Sequence, residues 1–200
     1  MTDLANVRRE RPIIFTADSV RAILAGSKTQ TRRVIKPQPP DGAKVWHNLN
    51  TGTFDVRRCS PWYSLKPTYG VPGDRLWVRE AWAGNIPPSG WIFKADGEIP
   101  GVPIKWLSPM FMARTQSRIT LEITEVRVQR VQEISGSDAE AEGVALPKTM
   151  SRLDREADGR EGAAFRLCFS EIWDSINAKR GYSWGSNPWV WALTFRRLAQ

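Results

Sequence analysis

Cysteine and histidine are scarce in this chain of 200 residues, which contains two cysteines and one histidine. Cys59 and Cys168 cannot form a disulfide framework, and together with His47 they supply too few ligands for a tetrahedral cysteine–histidine zinc site. A single histidine also argues against a histidine-based catalytic triad. We therefore predict no metal and no cofactor, and chemistry that relies on lysine, threonine, serine, aspartate, glutamate or tyrosine.

Long apolar runs are missing as well. No segment approaches the roughly 18 to 20 consecutive apolar residues of a membrane-spanning helix, and the polar, charged start of the chain does not resemble a signal peptide. We therefore predict a soluble cytoplasmic protein without a membrane partner. The length suits one domain over residues 1–200.

Positive charge and tryptophan are abundant. The 29 lysines and arginines exceed the 21 aspartates and glutamates, which gives a formal net charge of +8, and the chain contains ten tryptophans. An excess of cations favours polyanionic partners such as RNA, DNA or nucleotides. Aromatic side chains between arginines suit base stacking, although most tryptophans of folded proteins serve in packing.

The most informative segment is residues 26–33 (GSKTQTRR), which follows an apolar segment with helical spacing. It is not a phosphate-binding P-loop, because that motif requires glycine where Ser27 and Ala22 stand. One interpretation is a helix cap at Gly26 followed by a solvated basic turn. The other is a catalytic segment, since its lysine, threonines and arginines provide a base, a nucleophile and an anion clamp.

The N-terminal part of the sequence predicts a strand, a helix and a second strand. Residues 12–16 form the first strand, the helix ends at Gly26, and β-branched residues at 31–35 form the second strand. A proline-rich stretch then breaks regular structure. We expect residues 40–70 to be a long irregular insertion.

A third strand is predicted at residues 75–80, where apolar residues alternate with Arg75, Trp77 and Arg79. This alternation predicts a strand with one basic and aromatic face. A second insertion, rich in proline and glycine, follows at residues 84–117, and long insertions of this kind are usually functional or disordered.

The longest alternating segment, residues 118–131, predicts a long strand with a bulge at residues 124–125. The capping-box spacing of residues 137–140 then starts a short helix, which carries Glu142 and ends at Gly143. This helix brings a carboxylate into the part of the chain that follows the longest strand.

The C-terminal part predicts a mobile charged segment at 147–160, an amphipathic helix at 165–176, a polar and aromatic loop at 182–188 and a closing strand at 189–195. Strands and helices do not alternate regularly. We therefore predict an α+β fold, with about five or six strands in a small, partly closed β-barrel on which the helices pack.

Several motifs in this order resemble the ASCH domain family, whose β-barrel is similar to PUA domains. They are Gly-x-Lys-Thr-x-Thr-x-Arg at 26–33, GDRLWV at 73–78 and ISGSDAEAEG at 134–143. The closing segments WDSIN at 173–177 and NPWVW at 187–191 resemble the longer phage and bacterial branch of that family. The resemblance covers most of the chain and implies a single PUA-like domain with the two insertions as additions.

Compact bacterial members of this family are amidohydrolases that remove the acyl group from N4-acetylcytidine, using a lysine, a threonine and a glutamate. By motif matching, the resemblance implies that these residues are Lys28, Thr31 and Glu142. Other members are RNA-binding or putative coactivator modules, so membership leaves both catalysis and binding open. A phage-related accessory protein is a third alternative.

The implied chemistry sets a geometric requirement. A threonine hydroxyl needs a nearby base, and a lysine can be that base only if burial or a neighbouring cation lowers its pKa. In an extended strand Lys28 and Thr31 would lie on opposite faces, so we predict a turn between them. Glu142 would orient the lysine or pass a proton to the leaving amine.

Binding of a modified cytidine nucleoside, RNA or DNA would need stacking surfaces and phosphate contacts. The candidate substrate-binding residues are Arg32, Arg33, Arg75, Trp77, Arg79, Trp82, Tyr182, Trp184 and Asn187.

Overall fold

The computed structural model describes residues 8–48, 53–57, 63–86, 90–146 and 160–199. The strands in these ranges are β1 (Glu10–Ile14), β2 (Gln30–Val34), β3 (Lys44–Asn48), β4 (Thr53–Arg57), β5 (Tyr63–Leu65), β6 (Arg75–Arg79), β7 (Trp82–Ile86), β8 (Gly90–Phe93), β9 (Thr120–Arg130) and β10 (Trp189–Arg197). The α-helices are α1 (Ala17–Leu24), α2 (Gly136–Ala141) and α3 (Arg160–Asn177). None of the helices in the described ranges has the length and apolar character needed to cross a membrane.

The largest sheet has five strands in the order β1-β6-β9-β10-β2. It is mixed, because β1 runs parallel to β6 whereas β6 pairs antiparallel with β9 and β10 antiparallel with β2. The predicted α+β class is confirmed. The described strands do not form a closed barrel, because closure requires the two outer strands to pair and the strand order ends at β1 and β2.

The chain divides into two compact units. The first unit comprises Met1–Gly26, Tyr69–Thr124 and Phe195–Gln200, and the second unit comprises Ser27–Thr68 and Glu125–Thr194. The long strands β9 and β10 each contain one boundary between the units.

In the first unit, local capping fixes α1. The hydroxyl of Thr16 accepts a hydrogen bond from the backbone amide of Ser19, which satisfies one free donor at the helix start. Gly26 follows the helix with a φ of +78°, a conformation that favours glycine. The helix thus ends where the sequence predicted, and its buried Val20 and Ile23 belong to the core of this unit.

The insertion predicted at 84–117 contains regular structure, namely the hairpin of β7 and β8 and three short 3₁₀ turns, at 94–96, 109–111 and 114–116. Trp82 and Trp91 contact each other across the hairpin in an edge-to-face arrangement, with ring centroids 5.1 Å apart. Aromatic pairing therefore supplies packing that proline and glycine cannot provide.

The insertion at residues 40–70 was predicted to be irregular, and this prediction is wrong. Residues 44–65 contain the three-stranded antiparallel sheet β3-β4-β5 of the second unit. Its strands have only three to five residues, so the alternation of apolar residues is too short to stand out in the sequence. Phe54 and Val56 nevertheless form a buried face, and Phe54 packs against Trp191 with ring centroids 5.4 Å apart.

The helix α2 begins earlier than predicted. Its N-cap is Ser135, whose hydroxyl accepts a hydrogen bond from the backbone amide of Asp138 at 3.0 Å, so Ser137 lies inside the helix. Gly143 ends the helical segment with a φ of +80°. The part of the predicted mobile segment at 147–159 lies outside the described residues.

A close contact between two glycines joins α2 to α3. A Cβ atom built on Gly136 would lie 2.3 Å from the Cα atom of Gly162, whereas a Cβ atom built on Gly162 would lie 3.6 Å from the Cα atom of Gly136. Around this contact, α3 buries an apolar face in a core formed by Val131, Ile134, Ala139, Val144, Phe165, Phe169, Trp173 and Val190. Only glycine at position 136 permits this approach of the two helices.

This asymmetry predicts different effects of two alanine substitutions. We expect Gly136→Ala to lower the free energy of unfolding by about 1 to 3 kcal/mol, because its methyl group would overlap the backbone of α3. Gly162→Ala is the matched control and should be neutral or slightly stabilising, since its methyl group fits and alanine favours the helix. Urea unfolding of both variants measures the difference, and equal effects would contradict the proposed close contact.

Candidate active site

The end of α2 is tied to the segment that precedes β2. Lys28 and Glu142 form an antiparallel bridge, and the backbone amide of Thr29 donates to the carbonyl oxygen of Ala141 at 2.8 Å. Glu142 is the C-cap residue of α2. Residues separated by 114 positions therefore meet, and all of them belong to the second unit.

Lys28 and Glu142 form a buried ion pair. The Nζ atom of Lys28 lies 2.6 Å from Oε2 of Glu142 and donates to the carbonyl oxygen of the same residue at 2.7 Å. The two side chains are 4% and 7% exposed. Burial lowers the pKa of the Lys28 ammonium below its ordinary value, the Glu142 carboxylate opposes this shift, and the positive charges of Arg33 and Arg32 add to it.

Arg32 binds the second oxygen of the same carboxylate. Its NH1 atom lies 3.1 Å from Oε1 of Glu142, and its NH2 atom lies 2.8 Å from Oδ2 of Asp138. The Arg32 side chain is fully buried, and its guanidinium lies over the ring of Phe169. Arg32 could bind a substrate phosphate only if it broke its ion pairs with these two carboxylates.

Asp138 is the second carboxylate in the network of ion pairs that Lys28, Arg32 and Glu142 form. It accepts hydrogen bonds from the Gln30 amide at 2.9 Å and from NH2 of Arg127 at 3.1 and 3.2 Å. Burial raises the pKa of Asp138, but the hydrogen bond from Gln30 and the charges of Arg32 and Arg127 outweigh it, so the pKa lies below its ordinary value. Three cations thus surround two carboxylates.

The backbone between Lys28 and Thr31 is extended, and the predicted turn is absent. Residue 28 forms the bridge and β2 begins at Gln30, so side chains alternate between the two faces. Lys28, Gln30 and Arg32 lie on the face that contacts α2, as their hydrogen bonds show. Thr31 lies on the opposite face of β2, is 3% exposed and stands opposite Leu193 of β10.

Arg33 follows on the same face as Thr31. It is half-buried and stands opposite Trp191 in the pairing of β2 with β10. Its positive charge acts on Lys28 only through space.

The three other predicted binding residues of the second unit lie in the loop before β10, and each has a structural contact. The carbonyl of Tyr182 accepts from the indole of Trp173 at 2.8 Å, and the Trp184 ring packs against the α3 core. Asn187 has a φ of +45°, and its side-chain oxygen accepts from the backbone amide of Gln132. Asparagine tolerates this left-handed conformation better than most residues.

Four predicted binding residues lie in the first unit, on β6 and β7. Trp77 and Trp82 are only 8% and 6% exposed, so neither presents its ring to solvent, and the predicted basic and aromatic face of β6 has no exposed tryptophan. The guanidinium of Arg79 lies over the Trp77 ring, 4.6 Å from its centroid. Arg75 stands between Glu10 and Glu122 in the strand register, which gives it acidic neighbours on both sides.

The sequence-based selection missed Gln30, Arg127 and Asp138. Two spacings in the sequence contain the signal for this network. Gln30 lies two residues from both Lys28 and Arg32, which places these three on one face of a strand. Asp138 lies four residues before Glu142, which places both carboxylates on one face of a helix.

No family model matches the sequence, and no curated protein matches it. The structure is similar to the crystal structure of protein EF3133 from Enterococcus faecalis V583, of the family DUF984, at 10% sequence identity and a TM-score of 0.44. The match covers 96% of this chain and 82% of that chain.

The shared carboxylate of Glu142 predicts an order of stabilities. In Glu142→Gln, Arg32 and Lys28 both lose a buried counterion, so we expect a loss of about 3 to 5 kcal/mol in unfolding free energy. Lys28→Met should cost less, because Arg32 remains as the counterion of Glu142. Urea unfolding at neutral pH compares the two variants, and a greater loss for Lys28→Met would contradict this view of the network.

The lowered pKa of Asp138 predicts a dependence on pH. An acid with a lowered pKa in the folded state stabilises the fold above its unfolded pKa of about 3.9, and this contribution is lost as the pH falls through the folded value. Asp138→Asn should therefore cost about 1 to 3 kcal/mol at pH near 7, and the difference from the wild type should shrink below pH ~4. Asp41→Asn, at an exposed position, is the control. A stability difference between Asp138→Asn and the wild type that stays constant with pH would refute the prediction.

Proposed function

We propose that this protein is an amidohydrolase that removes the acyl group from N4-acylated cytidine, as a nucleoside or within a nucleic acid, through Lys28, Thr31 and Glu142. The observation that supports this proposal is the buried ion pair of Lys28 and Glu142, 2.6 Å apart. These are two of the three residues that the ASCH resemblance implies, and the contact joins sequence positions that nothing in local structure would bring together.

The properties of Lys28 suit proton transfer. Its lowered pKa increases the fraction of neutral amine at a given pH, and a neutral amine can accept a proton from a hydroxyl nucleophile. In the proposed reaction the hydroxyl oxygen bonds to the acyl carbon as its proton passes to Lys28. The C–N bond then breaks, N4 of cytidine takes up that proton, and water hydrolyses the resulting ester.

The position of Thr31 limits how it can act as that nucleophile. Because it lies on the opposite face of β2, direct proton transfer to Lys28 requires a change of backbone conformation at residues 28–31. A water molecule beside Lys28 would need no such change. With Lys28 and Glu142 only 4% and 7% exposed, either nucleophile also requires the end of α2 to open towards the substrate.

Turnover of N4-acetylcytidine tests the proposal, with released cytidine followed by chromatography. We expect Lys28→Arg to abolish turnover, because arginine keeps the positive charge but cannot be deprotonated. With Thr31 as nucleophile, Thr31→Val should abolish turnover and Thr31→Ser should retain part of it. Full turnover by Thr31→Val would assign the attack to water, and full turnover by Lys28→Arg would refute the proposal.

The second candidate is a non-catalytic module that binds RNA or single-stranded DNA. The net charge of +8 favours it, because cations that bind phosphates release condensed counterions. This alternative requires binding of polymer that weakens steeply with salt and does not depend on Lys28.

A further inference from the structure

The three-stranded sheet of the second unit has one apolar and one polar face. Phe54 and Val56 are 4% and 1% exposed and form the buried side. Because side chains alternate along a strand, Lys44 and Trp46 of β3 and Arg57 of β4 lie on the other side, where all three are exposed. None of these three residues belongs to the site predicted from the sequence.

Two cations are direct neighbours on this face. Lys44 and Arg57 are partners in the antiparallel register of β3 and β4. Both residues are exposed, and neighbouring positive charges attract anions from solution, so the pair is suited to an anionic ligand.

An aromatic surface lies beside the cations. Trp46 follows Lys44 by two residues on the same face, a spacing of about 6.6 Å along a strand. Its side chain is 44% exposed, which contrasts with buried tryptophans such as Trp77 and Trp82. Gly42, Lys44, Trp46 and Arg57 line a shallow pocket of 260 Å³.

A carboxylate lies beside Trp46 on the same face. Asp55 stands opposite Trp46 in the register and accepts hydrogen bonds from Ser64 at 2.6 Å and Asn48 at 2.9 Å. Its negative charge disfavours a phosphate next to Trp46. The pocket therefore has a direction, with the anion site at Lys44 and Arg57 and the aromatic surface next to it.

We propose that this pocket binds a nucleotide unit, with the base stacked on Trp46 and the phosphate between Lys44 and Arg57. Stacking on an exposed aromatic ring beside backbone-binding cations is how proteins hold single-stranded nucleic acids. The inference rests on the nucleic-acid-binding alternative, for which it supplies a location, and it is independent of Lys28 and Glu142.

Fluorescence anisotropy with a labelled oligocytidylate of about ten nucleotides tests the pocket. Lys44→Ala and the control Lys105→Ala remove one positive charge each, and Lys105 is exposed in the first unit. We expect Lys44→Ala to weaken binding and to reduce the slope of log affinity against log salt by about 0.7, whereas the control should match the wild type. Trp46→Ala should weaken binding about 5- to 150-fold, and Trp46→Phe should restore most of the affinity.

Competition experiments distinguish a free nucleotide from a nucleic-acid strand as the ligand. Displacement of the labelled strand by cytidine 5′-monophosphate would support a pocket that accepts a free nucleotide, and displacement by unlabelled strand alone would support one that needs polymer. Binding by folded Lys44→Ala and Trp46→Ala that equals the control would overturn the pocket while leaving a nucleic-acid-binding function in place. Absence of binding by the wild type at low salt would overturn both.

Discussion

The arrangement of the second unit depends on one buried carboxylate that forms ion pairs with two cations. Lys28 binds one oxygen of Glu142, and Arg32 binds the other. Because desolvation offsets much of the attraction in such a pair, its main effect is on specificity: any other docking of α2 on β2 would leave buried charges without partners. The network therefore fixes the register of a helix that, with six residues, is too short to be stable on its own.

Not all of the positive charge counted in the composition faces solvent. Arg32 lies inside the protein, where it compensates Glu142 and Asp138, so only part of the excess positive charge faces solvent. Lys44 and Arg57 lie on the exposed face of the small sheet, in a segment without a recognisable motif. Net charge alone could not separate these two groups, because it takes no account of burial.

The sequence allowed α1, β6, β9, α3 and β10 to be predicted, because each has a clear period or a capping signal. The sheet β3-β4-β5 was missed because strands of three to five residues carry too little alternation. For the site, the resemblance pointed to Lys28 and Glu142, which lie in contact. The extended backbone before Thr31 was not foreseen, because Lys28 forms its bridge with a residue 114 positions away. The same applies to the burial of Trp77.

The glycine contact between α2 and α3 has a mechanical consequence. A helix of six residues is about 9 Å long. Gly136 contacts α3 at one end of this short helix, and Glu142 binds Lys28 at the other end. A substitution that separates α2 from α3 at Gly162 would therefore shift the carboxylate that binds the Lys28 ammonium.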